Sequence, residues 1–250
     1  MWLHFLFVAP LENFEKEGVL LKNNSIKVIF FDAGGVLFHE KVSPQDKLKR
    51  ILNSRGISKD LIERALEKSS REVNTYFRKG IEPQNWNEEK TLWKLVYKTV
   101  AYEVDNTNPY LADELFMLTQ FASYYKLYPE VKPILENLAD NYTLGVISNA
   151  LPSVDWVFDF LEIRKYFKLI TISSFVQMRK PGEDIYKYSI EQIDSKPEEC
   201  LFIDDKLENV KIAEKIGMHT IHLIRPENDL YLIDDIIPIR KLCKIKVANE

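Results

Sequence analysis

Cysteine is scarce in this chain. Cys200 and Cys243 are too few for a disulfide framework and suit a reducing compartment. Cys200 heads an apolar run and reads as a small buried hydrophobe. Basic clusters are missing as well, and a formal charge of −4 leaves no electrostatic footprint for nucleic acid. The apolar opening at residues 1–10 is too short to span a bilayer. It lacks a basic n-region and a small-x-small cleavage site, and Glu12, Glu15 and Glu17 follow closely. Residues 1–25 are therefore read as an N-terminal extension, with a weak signal sequence as the alternative. No internal repeat or low-complexity segment is visible. The expectation is a cytoplasmic protein with no nucleic-acid partner and no membrane association; oligomeric state is not legible.

What is present is enough chain for a sizeable core. At 250 residues, two domains of unequal size is the starting expectation. The organising stretch is Val28-Ile29-Phe30-Phe31-Asp32-Ala33-Gly34-Gly35-Val36-Leu37. Uncharged β-branched and aromatic residues in a row read as a strand buried on both faces, and it ends on a carboxylate. Two glycines follow, where the backbone can bend sharply and approach a ligand at the carboxyl edge of a parallel sheet. Taken alone, the stretch fits equally well a strand whose Asp32 only braces a tight turn.

Past Leu37 the pattern turns helical for about ninety residues, too long for a simple connection, so an inserted helical unit is expected. Ser43, Pro44 and Asp46 open its first helix, with Leu48, Ile51 and Leu52 on one face and Gly56 as a stop. Ser58 caps a second, which carries Ile62, Ala65, Leu66, Val73, Tyr76 and Phe77 up to Gly80. Asn87 is expected to cap a third, with Leu92, Val96, Val100 and Val104 as its stripe. A fourth is expected over residues 109–125, showing Leu111, Leu115, Leu118, Phe121 and Ala122. Trp86 and Trp93 read as bundle core.

From Tyr128-Pro129 onward, strands and helices alternate. Strands are expected at 142–147, 168–172, 200–203 and 219–223, with helices at 130–139, 154–161 and 183–193 and another through Val210, Ile212 and Ala213. This order argues for an α/β fold, a doubly wound, mainly parallel sheet with helices on both faces. Strands of a parallel sheet end on one edge, so Asp32, Ser148 and the Asp204-Asp205 pair converge there. Three carboxylates at one edge repel unless protonated or bridged by a cation, and hard oxygen ligands favour Mg²⁺. Such a metal needs an anionic substrate, and a phosphoryl group fits.

The motifs, in this order, resemble those of the haloacid dehalogenase superfamily, in the branch with a helical C1-type cap after the first motif. Phe31-Asp32-Ala33-Gly34-Gly35-Val36 is similar to the first motif, whose Asp is a nucleophile that becomes an aspartyl-phosphate. Ile147-Ser148-Asn149-Ala150 is similar to the second, where the hydroxyl and a neighbouring amide hold phosphoryl oxygens. Lys180-Pro181 is similar to the third, whose ammonium neutralises charge, and Phe202-Ile203-Asp204-Asp205 to the fourth, whose acidic pair holds Mg²⁺. The resemblance implies a Rossmann-like core at 26–42 and 128–240, a cap at 43–127 and a tail at 241–250. It implies Asp32, Ser148 and Lys180 as catalytic residues and Ser148, Asn149 and Lys180 around the phosphate. It also implies Asp32, the Gly34 carbonyl, Asp204 and Asp205 around Mg²⁺. The implied activity is hydrolysis of a small phosphomonoester, the partner being a small phosphorylated molecule.

One position departs from the superfamily's phosphatases. Two residues after the nucleophile they carry an Asp as general acid and base, and here stands Gly34. The carbonyl ligand survives and the proton donor is lost, a group worth about 10²–10⁴-fold in rate. A leaving group needing little protonation, such as an anomeric sugar phosphate or an acyl phosphate, would tolerate the loss. Members with this glycine and a Met-Arg-Lys-Pro third motif include sugar-1-phosphate phosphatases. His39 and Glu40 are candidate substitutes, or else parts of a solvated flap. The same departure opens two other readings, a 2-haloacid dehalogenase-like hydrolase and a non-catalytic binding or regulatory protein. Against the dehalogenase stands the Asp204-Asp205 pair, which would set bare negative charge beside a carboxylate substrate. Asn209 reads as a helix-face or packing residue. Arg78 and Lys79 read either as surface charge or as a turn closing over the substrate.

Overall fold

The computed structural model describes residues 19–21, 25–78, 82–119, 125–225, 237–239 and 245–247. The first elements are β1 (Val19–Leu21), β2 (Val28–Phe31) and β3 (Phe38–Glu40). Four helices follow, α1 (Pro44–Ser54), α2 (Lys59–Phe77), α3 (Trp86–Val104) and α4 (Leu111–Thr119). The chain returns through β4 (Tyr125–Leu127), α5 (Val131–Ala139), β5 (Thr143–Ser148), α6 (Val154–Phe160), β6 (Phe167–Ile172) and the short α7 (Ser173–Val176). Then come α8 (Glu183–Gln192), β7 (Cys200–Asp204), α9 (Leu207–Lys215), β8 (His219–Leu223), β9 (Ile237–Ile239) and β10 (Ile245–Val247).

Six strands form one parallel sheet in the order β6-β5-β2-β7-β8-β9. β2 lies inside it between β5 and β7, and every residue of β2 is buried. Successive strand side chains face opposite ways, so a strand buried on both sides needs apolar residues throughout. Ile29 and Phe31 pack with Val131, Leu135 and Leu138 of α5 and Val157 and Phe158 of α6. Val28 and Phe30 pack on the other face with Ile185, Tyr186 and Ile190 of α8 and Ala213 of α9. This is the expected α/β architecture with helices on both faces. Cys200 is buried in the second of these layers. Among the described residues no helix is long and apolar enough to cross a membrane.

The inserted helices have a core of their own, in which Leu48, Leu52, Ile62, Leu66, Tyr97, Val100 and Leu115 meet. Ser43 and Ser58 cap α1 and α2 as their sequence signals require. The cap of α3 is Asn85 and not Asn87. The Asn85 side chain accepts from the Glu88 amide at 3.1 Å, and Glu88 reaches back to the Gln84 amide at 2.8 Å. That reciprocal pair fixes the helix start two residues earlier. α4 is described to Thr119, residues 120–124 lie outside the described residues, and Tyr125 is in a strand and not a helix, because β4 pairs antiparallel with β3. Leu118 is exposed accordingly. Trp86 and Trp93 are partly buried and pack against this bundle core, and Trp86 also lies 4.7 Å from the Trp156 ring of α6. Lys79, Gly80, Phe121, Ala122, Cys243 and most of the N-terminal extension lie outside the described residues.

Gly145 of β5 sits opposite Phe30, and a Cβ there would fall 2.6 Å from the Phe30 ring. Overpacking a closed layer costs roughly 1–3 kcal/mol. Gly145→Ala is therefore expected to lose about that much stability in urea unfolding, and an unchanged midpoint would show that the layer yields.

Candidate active site

The carboxyl edge of the sheet gathers the polar residues that follow its central strands. Asp32 leaves β2 with its amide bonded to the Ile203 carbonyl of β7 at 2.8 Å. Ser148 ends β5 and Asp204 ends β7. Lys180 arrives from the loop between α7 and α8 and is 2% exposed. Its Nζ stands 2.9 Å from Asp32 Oδ1 and 2.6 Å from Asp204 Oδ2. The Asn149 side chain holds that loop, donating to the Lys180 carbonyl at 2.7 Å and accepting from the Lys180 amide at 2.8 Å.

Asp204, fully buried, accepts three bonds: Lys180 and Asn209 on Oδ2 and the Lys206 amide on Oδ1. Asn209 is therefore more than a packing residue, since its amide orients Asp204. Asp205 differs. Its Oδ1 is buried without a hydrogen-bond partner, a costly state for a carboxylate oxygen. Asp32, Asp204 and Asp205 each offer an oxygen, all within 4.8 Å of one another. A hard divalent cation fits this donor set and would satisfy the Asp205 oxygen. Gly35 makes the approach possible: its φ is +82° and a Cβ would collide with the Asp205 carboxylate.

The electrostatics follow from this crowding. Burial pushes the Asp32 carboxyl up, against the pull of the Lys180 ammonium. Burial works to lower Lys180, but Asp32 and Asp204 outweigh it and hold the ammonium above its ordinary pKa. Asp205 is pushed up to about 6 by burial and by the charges of Asp32 and Asp204.

Above this edge lies a cavity of about 660 Å³ bounded by the core and the inserted helices. Gly34, Gly35, Ser148 and Asn149 form its floor, with Phe38, His39, Glu40, Phe77, Trp93, Tyr125 and Tyr128 around it. Two acidic residues tie the helical unit to the core. Glu89 of α3 accepts from the Ser153 amide at 2.7 Å and its hydroxyl at 2.6 Å. Glu82 pairs with Arg179, the residue before Lys180, and accepts from the Ser173 hydroxyl at 3.1 Å. His39 stacks on Tyr128, and Glu40 accepts from the Tyr125 hydroxyl at 2.9 Å. Both sit in the cavity wall. Arg78 is exposed and does not line it.

The family profile of the haloacid dehalogenase-like hydrolases matches residues 26–217, more than three quarters of the chain. The chain belongs to this family. A glyceraldehyde 3-phosphate phosphatase of Methanopyrus kandleri is 24% identical to this haloacid dehalogenase-like hydrolase over 217 residues, 82% of this chain and 89% of that protein. A solved phosphatase of the family from Thermococcus onnurineus is 25% identical with a TM-score of 0.61, over 88% of this chain and 95% of that one. A 2-haloacid dehalogenase of Pseudomonas syringae shares the fold at 22% identity and TM-score 0.62, covering 87% and 95%. The fold thus serves both chemistries, and the choice between them lies in the site residues.

Sequence reasoning missed three side chains here. Glu82 lies between α2 and α3, and Glu89 follows Glu88 in the first turn of α3, where acids are ordinary, so no local pattern marks either. Arg225, just past β8, lies beyond the family match and carries no motif.

Asp205 yields a prediction. Its folded pKa of about 6 lies above the ordinary 3.8, so between these values the folded, ion-free chain holds a proton that the unfolded chain has lost. The group's contribution to stability therefore falls as pH rises through that window and stays lost above it. Asp205→Asn is expected to stabilise the ion-free protein near pH 7.5 by about 1–2 kcal/mol. In the parent, Mg²⁺ is expected to raise the melting temperature far more near pH 7.5 than near pH 5. Equal Mg²⁺ shifts at both pH values would contradict the assignment.

Proposed function

We propose that this hydrolase is a Mg²⁺-dependent phosphatase acting on a small phosphomonoester, with a sugar phosphate as the favoured class. The proposed site lies between a core of residues 26–42 and 128–240 and a cap of residues 43–127. Asp32, Asp205, the Gly34 carbonyl and the remaining capacity of Asp204 would hold the ion. Bound there, Mg²⁺ would offset the negative charge of the carboxylates and of the phosphoryl oxygens. Asp32 attacks phosphorus in line, the ester oxygen leaves with its electron pair, and an aspartyl-phosphate forms; water then attacks phosphorus and frees Asp32. Lys180 neutralises Asp32 and the incoming phosphoryl group. The Ser148 hydroxyl and the Asn149 amide hold phosphoryl oxygens.

The observation that carries this reading is the charge balance. One buried ammonium faces three carboxylates, and one of those keeps an unsatisfied oxygen. A dehalogenase working without metal would bring its carboxylate substrate against that excess negative charge, a repulsive arrangement, whereas a bound Mg²⁺ would offset the charge and let the anionic phosphate approach.

Gly34 sets the leaving-group requirement. A Cβ at Gly34 meets nothing within 4 Å, so an acid would fit where none is present. The wild type is expected to hydrolyse p-nitrophenyl phosphate only with Mg²⁺, and Asp32→Asn to lower kcat by about 10³-fold or more. Gly34→Asp is expected to raise turnover of alkyl phosphates by about 10²-fold or more, with a much smaller effect on p-nitrophenyl phosphate, whose leaving group needs no proton. A flat phosphate panel with Mg²⁺ bound would favour a binding protein, and metal-free halide release from a 2-haloacid a dehalogenase.

A further inference from the structure

Arg225 stands just past β8, is 9% exposed, and directs two of its three guanidinium nitrogens to the turn that follows Asp32. Its Nε donates to the Gly35 carbonyl at 2.9 Å and one Nη to the Val36 carbonyl at 2.7 Å. The other Nη pairs with Glu130 at 2.8 Å, at the start of α5. The guanidinium plane also lies over the Tyr128 ring, with 3.3 Å from Cζ to the centroid. Tyr128 in turn lines the cavity and stacks on His39. A charge so buried is costly unless its donors are filled, and the fixed planar fork of arginine matches two adjacent carbonyls as an ammonium does not.

The two carbonyls belong to residues directly after Gly34, whose own carbonyl the proposed function assigns to the ion. The turn is braced from within by the Gly35 amide on the Phe38 carbonyl at 3.0 Å and the Leu37 amide on the Ala33 carbonyl at 2.8 Å, and at its two freely rotating glycines Arg225 adds a hold from outside the turn. We infer that Arg225 is a positioning residue that pins the Gly34-Gly35-Val36 turn and thereby the backbone oxygen offered to the divalent cation. It touches neither substrate nor ion. This inference rests on the proposed Mg²⁺ site.

The test is isothermal titration of Mg²⁺ into the full chain, alongside hydrolysis of p-nitrophenyl phosphate. Residues that orient metal ligands typically change metal affinity or activity by 10–100-fold. Arg225→Ala is expected to weaken the Mg²⁺ Kd by about tenfold and to lower kcat, with KM for the ester within about threefold of wild type. Arg225→Lys keeps charge and most of the volume but cannot span both carbonyls, so it is expected to fall with Arg225→Ala. Millimolar guanidinium is expected to restore part of the loss in Arg225→Ala and none in Arg225→Lys, where the site is filled. A folded variant of either kind that binds Mg²⁺ as tightly as the wild type overturns the inference. If Arg225→Ala does not fold, Arg225→Lys decides alone. Calorimetry reads the positioning role and turnover reads the phosphatase assignment, so each can fail without the other; a wild type that binds no Mg²⁺ overturns both.

Discussion

Like-charge crowding at the end of a parallel sheet is the constraint on which this molecule turns. Two unit charges about 4 Å apart interact by about 4 kcal/mol at the effective dielectric found near protein surfaces. Asp32, Asp204 and Asp205 lie at such separations, and the Lys180 ammonium touches only the first two. Lys180 itself is costly to bury, and Asn149 holds its backbone so that the ammonium meets its carboxylates without a search. Asn209 and the Lys206 amide serve Asp204 in the same way. After all these partners are counted, Asp205 still has an unmet oxygen, and burial keeps water from meeting it. That unmet charge is what the proposed Mg²⁺ would offset.

Much of this was legible because its causes are local or topological. The buried run of β2, the serine caps of α1 and α2 and the alternation after Tyr128 each leave a periodic or residue-specific mark, and parallel topology brings strand-end residues to one edge whatever their separation. The convergence of Asp32, Lys180, Asp204 and Asp205 followed from that topology and from the family resemblance together. What escaped depends on pairing partners that sequence does not name. Tyr125 continues a helical pattern but is captured by β3, a tertiary override of local preference. Asn85 and Asn87 are chemically the same cap, and only the return bond of Glu88 chooses between them. Arg225 meets residues some 190 positions earlier in the chain, beyond any local rule.

The inserted helices do more than roof the cavity. Glu82 and Glu89 are acids reaching down from that unit, and the core residues Ser153, Arg179 and Ser173 that they meet lie beside segments carrying candidate site residues. Ser153 follows the Ser148-Asn149 turn, Arg179 precedes Lys180, and Ser173 bonds to the Ala150 amide at 3.1 Å. Movement of the helical unit away from the core would break bonds on the loops that present Ser148, Asn149 and Lys180. Cavity access and site geometry are thus mechanically joined, as a cap closing over the proposed site would require.

The two adjacent glycines show how one dipeptide can hold two different kinds of information. Gly35 is forced: its φ is positive and the space a Cβ would take is filled by the Asp205 carboxylate, so no other residue lets the acid approach. Gly34 is under no such pressure, for the space beside it is open. Sterics therefore explain the first and leave the second to chemistry. An acid could stand at Gly34 without disturbing the turn, yet the position is bare, and a fourth carboxyl there would have joined an edge already short of positive charge. Leaving it out eases that crowding and removes the proton donor in one step. On the proposed phosphatase reading, a site made this way would favour esters whose oxygen departs as a stable anion, and the identity of the leaving group would be the property on which its turnover depends.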